Sequence, residues 1–309
     1  MEYIQNDKFR ISVPAVVTIG KFDGRHRGHQ KLLTAMLDWK QSCGFAVAVF
    51  TFSKTPGNVV DGKDQTVITT NEERRHIMEQ AGVDYLVEYP FNEMVSHMSP
   101  EEFVEKILVE QMNARAIVVG TDCGFGYQRA GNAALLQTLS SRLGYELTVV
   151  EKAQEDHRDI SSTYVREELD KGNMEKANEL LGAPYSIHGR VIHGNHIGSS
   201  ILGFPTANIQ PQPEKHLPRF GVYVSRVLTE DKEYRGITNI GRKPTIEGKN
   251  PVGVETYLVD FEGNLYGQTI EVQLYHFLRP EKRFDSLDEL RAQIQRDKKN
   301  GRDYSLNFL

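Results

Sequence analysis

The stretch AVVTIGKFDGRHRGH, residues 15–29, decides how the chain is read. Ala15–Gly20 is a short run rich in Val and Ile, the composition of a strand covered on both faces. The run ends at Gly20, and a helical pattern begins about His29, with Leu32, Leu33, Met36 and Leu37 on one face of His29–Ser42. A strand that passes through a glycine-rich turn into a helix opens a parallel α/β sheet, and ligands bind such sheets beyond the carboxyl ends of the strands. There the helix N-terminus presents unpaired N–H groups and the positive end of its dipole, which suits a phosphate. Gly20, Gly24 and Gly28 let backbone approach a ligand closely. His26 and His29 add donors able to carry positive charge. No Gly-Lys-Ser/Thr follows, so this is not a Walker loop, and the spacing is not that of the GxGxxG dinucleotide fingerprint.

Working outward, the same alternation continues. Apolar runs at Phe45–Phe52, Tyr85–Tyr89, Ala116–Gly120 and Leu147–Val150 read as further buried strands. Thr70-Asn71-Glu72-Glu73 and Ser99-Pro100-Glu101-Glu102 read as capping boxes that open helices, the second with proline at the first helical position. Strand and helix in alternation predict a doubly wound, mostly parallel sheet. The pattern changes at Gly182-Ala183-Pro184, where a helix ends at Leu181. Beyond it Tyr185–His193, Gly221–Leu228, Tyr234–Ile240, Gly253–Phe261 and Thr269–Phe277 read as strands without long helices between them, which predicts an antiparallel β-barrel. A terminal helix follows, capped by Ser286 with Glu289 three residues on. The expected domains are residues 1–183 and 184–309.

Composition narrows the class of function. The chain has 309 residues, enough for two cores, and 26% charged residues with a formal net charge of −5 argue against a general nucleic-acid binder. The N-terminus lacks the apolar core of a secretory signal, and no apolar run is long enough to span a membrane. Two cysteines, Cys43 and Cys123, lie far apart with no metal-type spacing, which fits a reducing, cytoplasmic setting.

The motif G-x-F-D-G-x-H-x-G-H resembles the HxGH nucleotidyltransferase superfamily. Ile160-Ser161-Ser162-Thr163-Tyr164-Val165-Arg166 resembles the ISSTxVR signature, and Val118–Asp122 followed by Gly124-Phe125-Gly126 resembles VGxDFxFG. With Gly203-Phe204-Pro205-Thr206-Ala207-Asn208, Asn239-Ile240-Gly241 and Leu278-Arg279-Pro280-Glu281, the chain resembles the bifunctional bacterial riboflavin kinase/FAD synthetase family over essentially its whole length. The resemblance implies an N-terminal Rossmann-like FMN adenylyltransferase domain and a C-terminal riboflavin kinase barrel. Riboflavin, FMN and ATP would be bound, FAD formed, and Mg²⁺ would accompany ATP.

The resemblance also implies site residues. In the first domain, Gly20, Phe22, Asp23, Gly24, Gly28, Thr55, Asp122, Ser161, Ser162 and Thr163 would line the ATP and phosphate site. His26, His29 and Arg166 would act in adenylyl transfer, and Phe125 would meet the flavin. In the second domain, Gly194, Gly203, Thr206 and Asn208 would hold Mg–ATP, with Thr206 and Asn208 as hard oxygen ligands of the metal. Glu255 would be the general base, because the neutral 5′-hydroxyl of riboflavin must lose a proton as it attacks the γ-phosphate. Arg279 would contact flavin or phosphate. Adenylyl transfer needs no base, since the attacking FMN phosphate is already anionic.

The sequence departs from the family pattern in three places. Lys54 and Thr55 stand where the family has proline and histidine, which predicts an altered adenylylation. Cys123 and Gly124 replace the usual Phe and Arg, which predicts an altered flavin or ATP pocket; in the second domain Gly198 is followed by Ser199 instead of the usual arginine, in a loop one residue longer, which predicts slower kinase turnover. Two other outcomes stand beside the bifunctional one: only one working half, or a flavin-binding regulator without catalysis.

Overall fold

The computed structural model describes residues 1–53, 66–192, 206–242, 252–282 and 284–306. Lys54, Thr55, Gly194, Ser199 and Gly203 lie outside them. The chain divides into two compact units, Met1–Ser161 and Ser162–Leu309.

The first unit is a six-stranded parallel sheet. Its strands are β1 (Glu2–Ile4), β2 (Ala15–Ile19), β3 (Ala46–Phe52), β4 (Tyr85–Tyr89), β5 (Ala114–Gly120) and β6 (Glu146–Val150), in the order β1-β4-β3-β2-β5-β6. Chain direction across the sheet reverses between β2 and β5, so the crevice at their carboxyl ends is the topological switch point. Neighbouring residues of β2 point to opposite faces: Ala15 and Val17 join one core, Val16 the other. On one face lie Leu33 and Met36 of α1 (Arg27–Cys43) and Met78 of α2 (Asn71–Gln80). Short helix α3 (Glu93–Ser96) follows β4, and α4 (Pro100–Glu102) runs on into a π-helical stretch, Phe103–Gln111. Phe103 and Ile107 of that stretch and Leu136 of α5 (Ala133–Leu143) fill the other face.

Helix starts follow their caps. Thr70 and Ser99 form capping boxes with Glu73 and Glu102, with proline at the first position of α4. Asn132 caps α5 through its side chain. Helix α1 differs: His26 is its N-cap but makes no side-chain cap bond, and no acidic residue lies in its first turn. A two-stranded hairpin, β7 (Gln154–Glu155) and β8 (Arg158–Asp159), closes the unit, with Asp156 and His157 at positive φ as its tight turn requires.

The second unit is a closed six-stranded antiparallel barrel. Strands β9 (Tyr185–Ile192), β10 (Thr206–Ile209), β11 (Gly221–Leu228), β12 (Glu233–Arg242), β13 (Val252–Leu258) and β14 (Thr269–Pro280) run in the order β10-β13-β12-β11-β14-β9, and β9 pairs β10 to close it. Closure removes the open edges of a small sheet. A buried hydroxyl ladder crosses three strands, with Thr238 bonded to Ser225 at 2.7 Å and to Thr256 at 2.9 Å.

Two helices precede the barrel, α6 (Ser162–Lys171) and α7 (Met174–Leu181). The buried Asn178 of α7 donates to the Leu274 carbonyl at 2.8 Å and accepts from the Tyr185 N–H at 2.7 Å. Both helices thus group with the barrel, and the units divide after Ser161 rather than at Gly182, where the sequence pattern changes. The terminal helix α8 (Leu287–Asp303) starts at Ser286, whose side chain accepts from the Glu289 N–H.

Candidate functional site

The Gly20–His29 loop leaves the carboxyl end of β2 at the switch point. Its shape is set by two bonds to the turn before α2. The Gly24 N–H donates to the Thr69 hydroxyl at 3.0 Å, and the Thr69 N–H donates to Asp23 Oδ1 at 3.1 Å. Gly24 sits at φ 63°, and a Cβ there would strike Ile68 at 2.9 Å, so both the conformation and the fit demand glycine. Phe22 is fully buried at φ 48°, an uncommon conformation for a bulky residue, and its ring lies against Gly20. The buried Asp23 carboxylate is therefore engaged in holding the loop.

The rings of His26 and His29 stack, with centroids 3.8 Å apart, and the ring of Phe22 is 4.8 Å from that of His29. His26 is 8% exposed. Burial lowers its pKa to about 4, with the Asp122 charge acting weakly the other way. Burial and the His26 ring push His29 well below the ordinary value. The histidines that the sequence offered as cationic donors are thus neutral imidazoles near pH 7, each carrying a single N–H, and His29 already has a bond to the Gly24 backbone. Among the described residues Nδ1 of both rings is buried without a hydrogen-bond partner.

Across the switch point, β5 ends at Gly120 and the turn Thr121-Asp122 follows. Asp122 is exposed and pairs with Lys152 at 3.4 Å, and Lys152 also holds Asp159 at 2.9 Å. A Cβ on Gly120 would meet Asp122 Oδ1 at 3.1 Å. Cys123 is half-buried, and burial raises its thiol to about 11, so it is a packing residue and not a reactive thiolate. Phe125, assigned to flavin by resemblance, is 7% exposed and packs on Phe103 in the core. Its N–H and carbonyl are bridged to Gly131. Ser161 ends the first unit; Ser162, Thr163 and Arg166 belong to α6 in the second.

In the barrel, strand register brings together residues far apart in sequence. Asn208 of β10 and Asn239 of β12 both lie directly across from Glu255 of β13. Thr206 donates its hydroxyl proton to Glu255 Oε1 at 2.7 Å. That bond fixes the hydroxyl's rotor and leaves its lone pairs turned away from the carboxylate. Asn208 is 3% exposed, with its amide 3.4 Å from the Thr206 oxygen. The two groups assigned to metal and the one assigned to proton transfer therefore form one cluster. Among the described residues there is no group of three His, Cys, Asp or Glu side chains arranged to hold a metal. A cation here would take its oxygens from Thr206, Asn208 and substrate phosphates, hard donors of the kind Mg²⁺ accepts.

Arg279 is placed differently from the sequence expectation. Its Nε and Nη2 hold the buried Asp297 of α8 at 2.7–3.1 Å, and Nη1 donates to the Pro280 carbonyl. Its charge is already neutralised, and the pair anchors the terminal helix to β14. Asp297 lies 18 residues away on the exposed-looking face of a polar helix, and nothing in its local sequence marks it.

Residues 9–164 match the FAD synthetase family model, and residues 181–305 match the riboflavin kinase model. Curated relatives described as bifunctional riboflavin kinase/FMN adenylyltransferase are similar along the whole chain. The protein of Haemophilus influenzae is 36% identical, over 93% of this chain and 93% of its own. That of Bacillus subtilis is 36% identical, over 95% and 93%, and that of Escherichia coli K12 is 37% identical, over 94% and 92%. A solved structure from Streptococcus pneumoniae, described as a macrolide-efflux protein, superposes with a TM-score of 0.89 at 29% identity, covering 99% of this chain and 100% of that one. Among the described residues no helix is long and apolar enough to cross a membrane.

Proposed function

The chain belongs to the bifunctional riboflavin kinase/FMN adenylyltransferase family, and from that premise we propose how its residues divide the work. The family's two activities are phosphorylation of riboflavin to FMN in the C-terminal region and adenylylation of FMN to FAD in the N-terminal region. The observation that carries the assignment is the Thr206–Glu255 bond at 2.7 Å, which joins a base and a phosphate-side oxygen in the barrel.

In the kinase step, Glu255 takes the proton of the riboflavin 5′-hydroxyl as its oxygen attacks the γ-phosphorus, and ADP leaves. Thr206 and Asn208 supply the oxygens that would hold Mg²⁺, which when bound neutralises phosphate charge. Arg279 acts as a positioning residue, through its pair with Asp297. In the adenylylation step, a phosphate oxygen of FMN attacks the α-phosphorus of ATP and pyrophosphate departs. His26, His29 and the free N–H groups of the first turn of α1 bind the phosphates, while Asp23 and Gly24, latched to Thr69, keep the loop in shape. Ser161, Ser162, Thr163 and Arg166 take their part in adenylylation from the family signature. The free thiols of Cys43 and Cys123 favour a cytoplasmic setting.

Glu255→Gln tests the division. Purified protein with riboflavin, ATP and Mg²⁺ should lose FMN formation by about 10²–10⁴-fold. FAD formation from supplied FMN should stay near the parent rate. Loss of both would refute two independent sites, and FMN formation by the variant at the parent rate would remove Glu255 as base.

A further inference from the structure

The motif G-x-F-D-G-x-H-x-G-H leaves position 25 open, and this chain places an arginine there. Arg25 is half-buried, and burial alone lowers the pKa of its guanidinium. Among the described residues no carboxylate is bonded to it. Three other arginines of the unit pair with carboxylates: Arg27 with Glu155 at 2.5 Å, and Arg74 and Arg75 both with the buried Glu88. A guanidinium does not shed its proton, so a desolvated one without a counter-charge is costly unless an anion arrives. The loop around it is already fixed. Gln30 Nε2 donates to the Arg25 carbonyl at 3.1 Å, and the next residue, His26, is the uncapped N-cap of α1.

The carboxylates nearby are occupied. Asp23 accepts from the Thr69 N–H, and Asp122 pairs with Lys152. His26 and His29 each keep a buried Nδ1 without a partner. Of the three permanent cations in the loop, Lys21 is exposed and Arg27 is paired with Glu155, which leaves Arg25 as the half-buried one, at a place where the chemistry must accept a polyanionic leaving group.

We propose that Arg25 supplies the fixed positive charge for the part of the ATP triphosphate that leaves as pyrophosphate, beside donors from His26, His29 and the first turn of α1. The proposal rests on the adenylyltransferase reading of the first site. In the step, the bond from an FMN phosphate oxygen to the α-phosphorus forms and the bond from that phosphorus to the bridging oxygen breaks. The electron pair leaves with pyrophosphate, whose growing charge the guanidinium offsets, and no proton need move.

The test uses the full-length protein and the variants Arg25→Gln and Arg25→Lys. FAD formation from FMN is measured against ATP, and pyrophosphate binding is measured by calorimetry. Arg25→Gln should raise the ATP KM and weaken pyrophosphate binding by about tenfold or more, the size of a charged hydrogen bond. The FMN KM should hold within about twofold, and Arg25→Lys should recover part of the loss. Riboflavin kinase turnover of each variant reports on whether the protein is intact. An ATP KM and pyrophosphate affinity within about twofold of the parent in Arg25→Gln would overturn the proposal, as would equal rises in the KM for FMN and ATP. If Arg25→Gln loses the kinase too, Arg25→Lys decides, and parent-like values in an intact Arg25→Gln still sink it. A parent protein that makes no FAD would refute the adenylyltransferase reading; pyrophosphate binding would then judge Arg25 on its own.

Discussion

On the proposed assignment, the loop Gly20–His29 and the cluster around Glu255 are two ways of building a phosphate site. The first is contiguous: ten residues, held at a switch point between parallel strands, with donors from side chains and from a helix N-terminus. The second is assembled: Thr206 and Glu255 are 49 residues apart and meet only because β10 pairs β13 in one register. The difference follows the chemistry. An anionic nucleophile needs only positioning and charge stabilisation, which a loop and a helix end can give. A neutral hydroxyl needs a carboxylate placed against the reacting atom, and the proposed one, Glu255, is carried on the wall of a closed barrel.

That contrast can be broken most decisively at His29. His29→Ala should lower FAD formation from FMN by about 10²–10³-fold while leaving riboflavin phosphorylation near the parent rate. An equal loss in both assays would mean that the halves are not chemically separate.

Acid should tell the two regions apart by stability. His26 has a folded pKa of about 4, below its value in the unfolded chain, so the unfolded state binds the extra proton first. Stability from this group is full above about pH 6.5 and declines as pH falls toward 4, by about 3 kcal/mol. Chemical denaturation at pH 7 and pH 5 should show that decline, and His26→Gln should make it shallower, with His29 supplying the remainder. An unchanged slope in the variant would mean that the acid sensitivity originates in groups other than His26.

The smallest expected effect sharpens the barrel side. Thr206→Val keeps the shape of the side chain and removes the hydroxyl bonded to Glu255. Riboflavin kinase turnover should fall about tenfold, the worth of one hydrogen bond to a charged group, with FAD synthesis from FMN unaffected. Parent-like turnover would show that the contact only packs the strand.

Much of the fold is legible in the chain. The strand Ala15–Gly20 is found at Ala15–Ile19, and Gly221–Leu228 has the bounds the sequence suggests. Thr70, Ser99 and Ser286 cap helices as their spacing predicts, because capping is a local bond between residues three apart. Strand β1 is missing from the sequence reading because three residues show no period. Helices α6 and α7 look like a continuation of the first domain, since pattern alone cannot tell which core a helix packs on. In the structure Asn178 bonds α7 to β14 and β9, and α6 falls in the same compact unit.

At the sites, the order of residues already names the groups present: the histidine pair in its glycine turn, the Ser-Ser-Thr run, Thr206, Asn208 and Glu255. These are matters of residue type and short spacing, which the chain carries openly. Tertiary structure alone decided their state and company. Stacking and burial make His26 and His29 neutral, since a charge is costly away from water. Register puts Glu255 on Thr206, and helix docking turns Arg279 onto Asp297. The dielectric around a group and its partners across a sheet are properties of packing, and no stretch of ten residues contains them.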